Sequence, residues 1–121
     1  MNGNDLQERT KQFALKVMKL VDMLPTNMSG WAIGKQLIRS GTSVGANYRA
    51  VCQGRSRAEF IAKLGIVVEE ADECVYWLEL IIQGELLPRQ SVQALHQEAD
   101  ELTAIFISSL NTARKNLRQE Q

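Results

Sequence analysis

Histidine and cysteine, on which most metal sites and many catalytic sites depend, are scarce in this sequence. Its 121 residues contain one histidine, His96, and two cysteines, Cys52 and Cys74. Bundles that bind two metal ions carry Glu-x-x-His pairs on two helices, whereas the residue three positions before His96 is Gln93. The cysteine spacing indicates neither a zinc site nor a cysteine–histidine nucleophile. We therefore predict a protein without catalytic activity, metal or cofactor, in which both thiols are reduced and largely buried.

Proline and long apolar runs are equally scarce. The sequence has 2 prolines and a hydrophobic content of 45%, which is typical of a globular domain rather than a disordered chain. No stretch approaches the roughly 18 apolar residues of a membrane span, and the polar start MNGNDLQERTKQ lacks the apolar region of a signal peptide. We expect one domain, residues 1–121, with a cytoplasmic location and no membrane partner.

Apolar residues recur at spacings of three and four, and no segment alternates at period two as a strand would. Turn and cap signals separate the periodic segments at Pro25, Gly84 and Pro88, and SRAE predicts a capping box that joins Ser56 to Glu59. The pattern predicts an all-α protein folded as an antiparallel up-down four-helix bundle. The predicted helices cover roughly residues 5–24, 30–53, 57–83 and 88–117.

The stretch RSGTSVGANYR, residues 39–49, has the small residues of a phosphate-binding loop without its chemistry. A Walker loop needs Lys and then Ser or Thr after its last glycine, but Ala46 and Asn47 follow Gly45. At about 100° per residue, the apolar positions before and after the stretch fall on one helical face. We therefore predict an uninterrupted helix, in which Gly41 and Gly45 allow a neighbouring helix to approach closely despite their low helix propensity.

Charge is unevenly distributed along the chain although the formal net charge is zero. Positions 35–63 are mainly basic, and positions 69–101 are mainly acidic. In helical projection, the cations of the second helix lie opposite its apolar face and near Trp31, an arrangement that could bind a nucleic-acid backbone and stack on a base. The predicted nucleic-acid-binding residues are Lys35, Arg39, Arg49, Arg55 and Arg57. A solvated basic face without a ligand also explains this pattern.

The third helix carries acids and a tryptophan away from its apolar seam. We predict that Glu70, Glu73 and Trp77 form an oligomer interface, because an aromatic side chain among acids on an outer face is typical of a docking surface. Such a face could mate with the basic surface of a second copy, and head-to-tail contacts of this kind close into rings. We therefore expect a homo-oligomer.

The string QLIRSGTSVGANYRAVCQGRSRAEFIAKLGIVVEEADECVYWLEL, from Gln36 onward, is similar to the core signature of a bacterial family. This family consists of four-helix-bundle proteins encoded in intervening sequences of large-subunit ribosomal RNA genes. The motifs QLIRS, TSVGANYR, SRAEF, KLGI, EEADE and YWLEL carry the resemblance in order, although the family pattern has a basic residue and Ala where Gln53 and Gly54 stand. The resemblance implies a homopentameric ring without catalytic activity. It places Arg39, Arg49, Arg55 and Arg57 on the family's basic surface.

The family also resembles the accessory variability proteins of diversity-generating retroelements, which bind nucleic acid and a reverse transcriptase. Two functions therefore stay open at the level of sequence. The first is a non-enzymatic, oligomeric protein that associates with nucleic acid, RNA or DNA, through its basic surface. The second is a protein-binding adaptor or assembly module, such as an accessory subunit of a reverse transcriptase.

Overall fold

Residues 2–120 are described in the computed structural model of the protein and form four helices without a strand. The helices are α1 (Gly3–Asp22), α2 (Met28–Cys52), α3 (Arg57–Gln83) and α4 (Arg89–Glu120). Each helix packs against the next, and α4 closes on α1, which confirms the predicted four-helix bundle. Met1 and Gln121, the ends of the predicted domain, lie outside the described residues.

The helix bounds are close to those predicted, and α3 agrees at both ends. The start of α1 is earlier than expected because a capping box forms there: the Asn2 side chain accepts from the backbone N–H of Asp5 at 2.9 Å, and the Asp5 carboxylate accepts from that of Asn2 at 3.4 Å. At α3, half of the predicted box is present. Ser56 Oγ accepts from the backbone N–H of Glu59 at 3.1 Å, but the Glu59 carboxylate lies 3.3 Å from Nζ of Lys63 instead.

The apolar faces of the helices meet in one core. Phe13 of α1, Leu37 of α2, Leu78 of α3 and Phe106 of α4 are at most 1% exposed. Burying each such side chain stabilises the fold by about 1.5–3 kcal/mol. Tyr48 of α2 packs on Phe106 with 5.1 Å between the ring centroids.

Helix α2 runs without a break through the glycine-containing stretch, as predicted. A Cβ atom at Gly41 would lie 2.8 Å from Cγ1 and 2.9 Å from Cγ2 of Val17, and one at Gly45 would lie 3.1 Å from Oγ1 of Thr10. Both glycines therefore face α1, which is the closely approaching neighbour. No helix within residues 2–120 is long and apolar enough to cross a bilayer.

Candidate nucleic-acid interface

Arg39 of α2 is exposed, but carboxylates of its own chain bind it. Its Nη1 lies 3.0 Å from Oε2 of Glu70, and its Nη2 donates to Oε1 of Glu73, both on α3. The hydrogen bond to Glu73 raises the pKa of the Arg39 guanidinium. Trp77 also takes part, because its Nε1 donates to Glu73 at 3.1 Å.

This cluster changes the interpretation of the predicted surfaces. The sequence placed Arg39 on a basic surface and Glu70, Glu73 and Trp77 on a separate acidic one, ready to meet between two subunits. In the structure, they lie together across α2 and α3 of one chain. Trp77 is half-buried and packs against the core. The assignment of the two acids and Trp77 to an oligomer interface remains a prediction.

Lys35 lies one helical turn before Arg39 but far from Arg49, Arg55 and Arg57. It is exposed near the start of α2, where it lines a shallow groove with Asp22, Pro25 and Trp31. Arg49 is near the end of the same helix, about 21 Å away along an axis that rises 1.5 Å per residue. The five predicted residues therefore do not form one continuous surface.

The bundle topology brings Arg49, Arg55 and Arg57 close to cations that the sequence analysis overlooked. The last turn of α2, the first turn of α3 and the last turns of α4 lie at one end of the bundle, where Nη2 of Arg57 is 2.8 Å from Oε1 of Glu120. The last turns of α4 add three exposed cations to this end. We call the resulting set the basic end: Arg49, Arg55, Arg57, Arg114, Lys115 and Arg118.

The basic end has a clear excess of positive charge. Residues 49–63 and 108–120 contain seven cations (the basic end and Lys63) and two acids, Glu59 and Glu120, a difference of five. Within residues 2–120, Arg57 has Glu120 as a partner, whereas the other members of the basic end have no carboxylate within 4.0 Å. Their charge therefore remains available to an anionic ligand.

Two grooves adjoin these cations. Arg49 lines one of about 490 Å³ between α1 and α2, together with Lys11 and Glu8. The second, of about 580 Å³, separates the start of α3 from α4. We call it the α3–α4 groove, and the residues that line it include Arg55, Arg57, Phe60, Ser108, Ser109, Thr112 and Asn116.

The thiols and the histidine do not form a site in the described part of the chain. Within residues 2–120, no three or more His, Cys, Asp or Glu side chains are grouped so that they could hold a metal ion. Cys74 is buried, as expected, and its thiol donates to Oγ of Ser40 at 3.3 Å. Cys52 is exposed, so its predicted burial is wrong. It is the last residue of α2, where the helix leaves the core and fewer neighbouring side chains cover it.

Comparison with known proteins gives a family and a similar structure. Residues 3–108 match the family described as 23S rRNA-intervening sequence protein. A crystal structure of a protein with unknown function from the S23 ribosomal protein family of Bacteroides thetaiotaomicron is 36% identical, covers 86% of this chain and 96% of its own, and has a TM-score of 0.79. The comparison with curated proteins finds no match. Arg114, Lys115 and Arg118 follow the matched range.

Proposed function

The chain belongs to the 23S rRNA-intervening sequence protein family, and on that premise we propose that it is a non-enzymatic protein that associates with RNA in the cytoplasm. The basic end is the proposed contact surface. The observation that carries the proposal is the concentration of exposed cations from three helices at one end of a chain whose formal net charge is zero. An even distribution of the same charges would leave no preferred surface for a polyanion.

The physical basis is phosphate binding with release of counterions. Arginine binds phosphate in a bidentate manner and keeps its charge at all physiological pH values. If about five cations each contact one phosphate, the logarithm of the association constant falls with the logarithm of the salt concentration with a slope of about −4. Such contacts favour a polyanion without selecting a sequence.

A titration of structured ribosomal RNA at two salt concentrations tests this proposal. We expect binding at low salt that weakens steeply as salt is added. The triple variant Arg49→Gln/Arg114→Gln/Lys115→Gln removes three cations of the basic end, and the control Lys16→Gln/Lys19→Gln/Arg89→Gln removes three exposed cations elsewhere. Affinity lost equally in both variants, or binding that ignores salt, contradicts the proposal.

Exposed apolar side chains favour a second function, assembly with protein partners. Leu15 is 44% exposed on α1, Tyr76 54% on α3 and Ile107 43% on α4. A partner chain that covers these side chains would remove their apolar surface from water. We propose a homo-oligomer, with the homopentamer favoured by the family resemblance, and a reverse transcriptase as a further candidate partner.

The molar mass in solution distinguishes the two roles. We expect light scattering to give a multiple of 13.6 kDa for the natural chain. The variant Leu15→Glu/Tyr76→Glu places charge on the exposed apolar residues and is expected to shift the mass toward one subunit. RNA binding that survives in the dissociated variant assigns the basic end to the ligand, whereas a monomeric natural chain contradicts the assembly proposal.

A further inference from the structure

We propose that the α3–α4 groove binds one phosphate-bearing ribonucleotide unit, with the phosphate at Arg55 and Arg57 and the sugar and base along α4. The inference rests on the proposed association with RNA and names the chemical group that this groove recognises. Its volume of about 580 Å³ lies in the range of small-molecule sites, about 300–1,000 Å³. A surface that only attracts the RNA backbone needs no such concavity.

The charged wall of the groove suits a phosphate. Arg55 has no carboxylate within 4.0 Å among residues 2–120, and Arg57 has Glu120 at 2.8 Å. The nearby acid Glu59 is directed to Lys63 at 3.3 Å. Arg55 and Arg57 flank Ser56, the N-cap of α3, so their two guanidinium groups can approach one phosphate. Planar guanidinium donors match the phosphate oxygens.

The opposite wall is neutral and polar. Ser108, Ser109, Thr112 and Asn116 line it from α4, and their hydroxyl and amide groups can both donate and accept hydrogen bonds. A site for a bare inorganic anion uses donors, whereas ribose hydroxyls and base edges need donors and acceptors. The neutral wall therefore extends the recognition from a phosphate to a ribonucleotide.

The side chains of this wall make no hydrogen bond to their own helix, residues 89–120, unlike several hydroxyl groups elsewhere in the bundle. Thr10, Ser40 and Thr103 donate to backbone carbonyls in the preceding turn of their own helices. In the described range 2–120, the side chains of the four residues of the neutral wall have no hydrogen-bond partner. They remain available to a ligand.

Phe60 supplies the apolar surface of the groove. It is half-buried, packs against the core and lines the groove from α3, one turn after Arg57. An aromatic face can stack on any base, because every base has a π-face. The combination of arginine, aromatic and hydroxyl side chains is the one expected of a nucleotide site.

Binding of a 5′-monophosphate tests the proposal directly. We expect adenosine 5′-monophosphate to perturb the backbone amide NMR signals of residues 54–60 and 108–116 in the full chain. Arg55→Gln is expected to weaken the binding about tenfold, because it removes a charge-assisted hydrogen bond to the phosphate. Lys16→Gln, which removes an exposed cation of α1 away from the groove, is expected to leave the affinity unchanged.

Further arms separate the sources and the parts of the ligand. If a 5′-phosphorylated RNA oligonucleotide binds more tightly than its 5′-hydroxyl form, the ligand is an RNA end. If the two oligonucleotides bind equally and the mononucleotide still binds, the ligand is a free nucleotide. Inorganic phosphate is expected to bind more weakly than the mononucleotide. Ser109→Ala/Asn116→Ala is expected to reduce mononucleotide affinity and to leave phosphate affinity unchanged.

Glu120 provides a test in the opposite direction. Its carboxylate competes with a phosphate for Arg57, so Glu120→Gln is expected to increase mononucleotide affinity severalfold.

The inference is overturned if the mononucleotide fails to bind at millimolar concentration, or if Arg55→Gln and Glu120→Gln both leave its affinity unchanged. Structured RNA is then tested with the same preparation. If its binding still depends on salt and on Arg49, Arg114 and Lys115, the proposed function stands and only the assignment of a nucleotide to the groove is wrong. Loss of both kinds of binding contradicts both.

Discussion

Nη1 of Arg39 on α2 lies 3.0 Å from Oε2 of Glu70 on α3. The same guanidinium donates to Glu73, so two carboxylates bind it within its own chain. A phosphate would have to replace both acids to bind Arg39. One of the five predicted nucleic-acid-binding residues is therefore a cross-helix contact in the structure.

We predict that Arg39→Gln and Arg49→Gln have different effects on RNA binding. Arg39→Gln is expected to leave affinity within about twofold at low salt, because the arginine is already neutralised. Arg49→Gln is expected to lower affinity severalfold and to reduce the salt slope by about 1. Filter binding at several salt concentrations measures both. Equal losses of affinity in the two variants would show that Arg39 also contacts RNA.

Gly41→Ala and Gly65→Ala form a matched pair for the packing of α2 on α1. A Cβ at Gly41 meets both methyl groups of Val17, which is fully buried, whereas nothing lies within 4 Å of a Cβ at Gly65 in α3. We expect Gly41→Ala to lower the free energy of unfolding by about 1–2 kcal/mol, because overpacking outweighs the gain in helix propensity. Gly65→Ala is expected to raise it by about 0.5–1 kcal/mol.

Urea denaturation followed by circular dichroism measures both free energies of unfolding. The double variant Val17→Ala/Gly41→Ala is expected to cost less than the sum of the two single variants, because the added and removed methyl groups occupy the same space. Additive costs would show that Gly41 does not control the approach of α1.

Glu85 adopts a left-handed backbone conformation with φ of 56° at the end of α3. The backbone N–H of Leu86 donates to the carbonyl of Ile81 at 3.0 Å, and that of Glu85 to Ile82 at 3.1 Å, which is a Schellman motif with Glu85 at C′. We expect Glu85→Gly to raise the free energy of unfolding by about 0.5–1 kcal/mol, since glycine adopts this conformation without the Cβ penalty. Thermal unfolding measures the shift. Glu85→Ala keeps the Cβ, and a gain of the same size there would assign the effect to charge.

Stability is expected to fall at alkaline pH because of Cys74 and Tyr48. Burial raises the pKa of Cys74 to about 12 from its ordinary 9.0, and burial with a hydrogen bond to Cys52 raises that of Tyr48 to about 12 from 10.0. The unfolded chain therefore loses these protons first, so stability is full below pH 9 and falls as pH rises toward 12.

Each group contributes a slope of up to about 1.4 kcal/mol per pH unit between its unfolded and folded pKa values. Urea denaturation at pH values from 7.5 upward measures the free energy of unfolding as a function of pH. Cys74→Ala is expected to reduce the fall in this free energy just above the ordinary thiol pKa. A stability that does not change over this interval would contradict the burial of both groups.

The prediction of helices from the sequence succeeded where the signals are local. The capping residue Ser56 and the apolar phase on both sides of Gly41 and Gly45 depend on neighbours within two helical turns, so α2 and the start of α3 were predicted well. The end of α3 shows the limit. Gly84 was expected to end the helix and does cap it, but the left-handed residue is the non-glycine Glu85, because the Schellman hydrogen bonds determine which position takes that conformation.

The candidate site was predicted only in part, because it depends on contacts between distant residues. Helical projection correctly placed Arg39 and Arg49 away from the core of α2, but projection of a single helix cannot show that Glu70 and Glu73 lie beside Arg39. It also gives no reason to join Arg55 to Arg114, which lies at the same end of the bundle because α4 runs back along α3. A cluster of three cations within RKNLR was the available signal in the sequence.

The sequence alone determined that this chain forms four amphipathic helices, because the spacing of apolar residues and the caps act within each helix. The tertiary structure alone decided which charges neutralise each other and which remain available at the basic end. The reason is range: helical periodicity is set by residues three and four positions apart, whereas Coulomb pairing and groove formation depend on side chains that are close in space and distant in the chain.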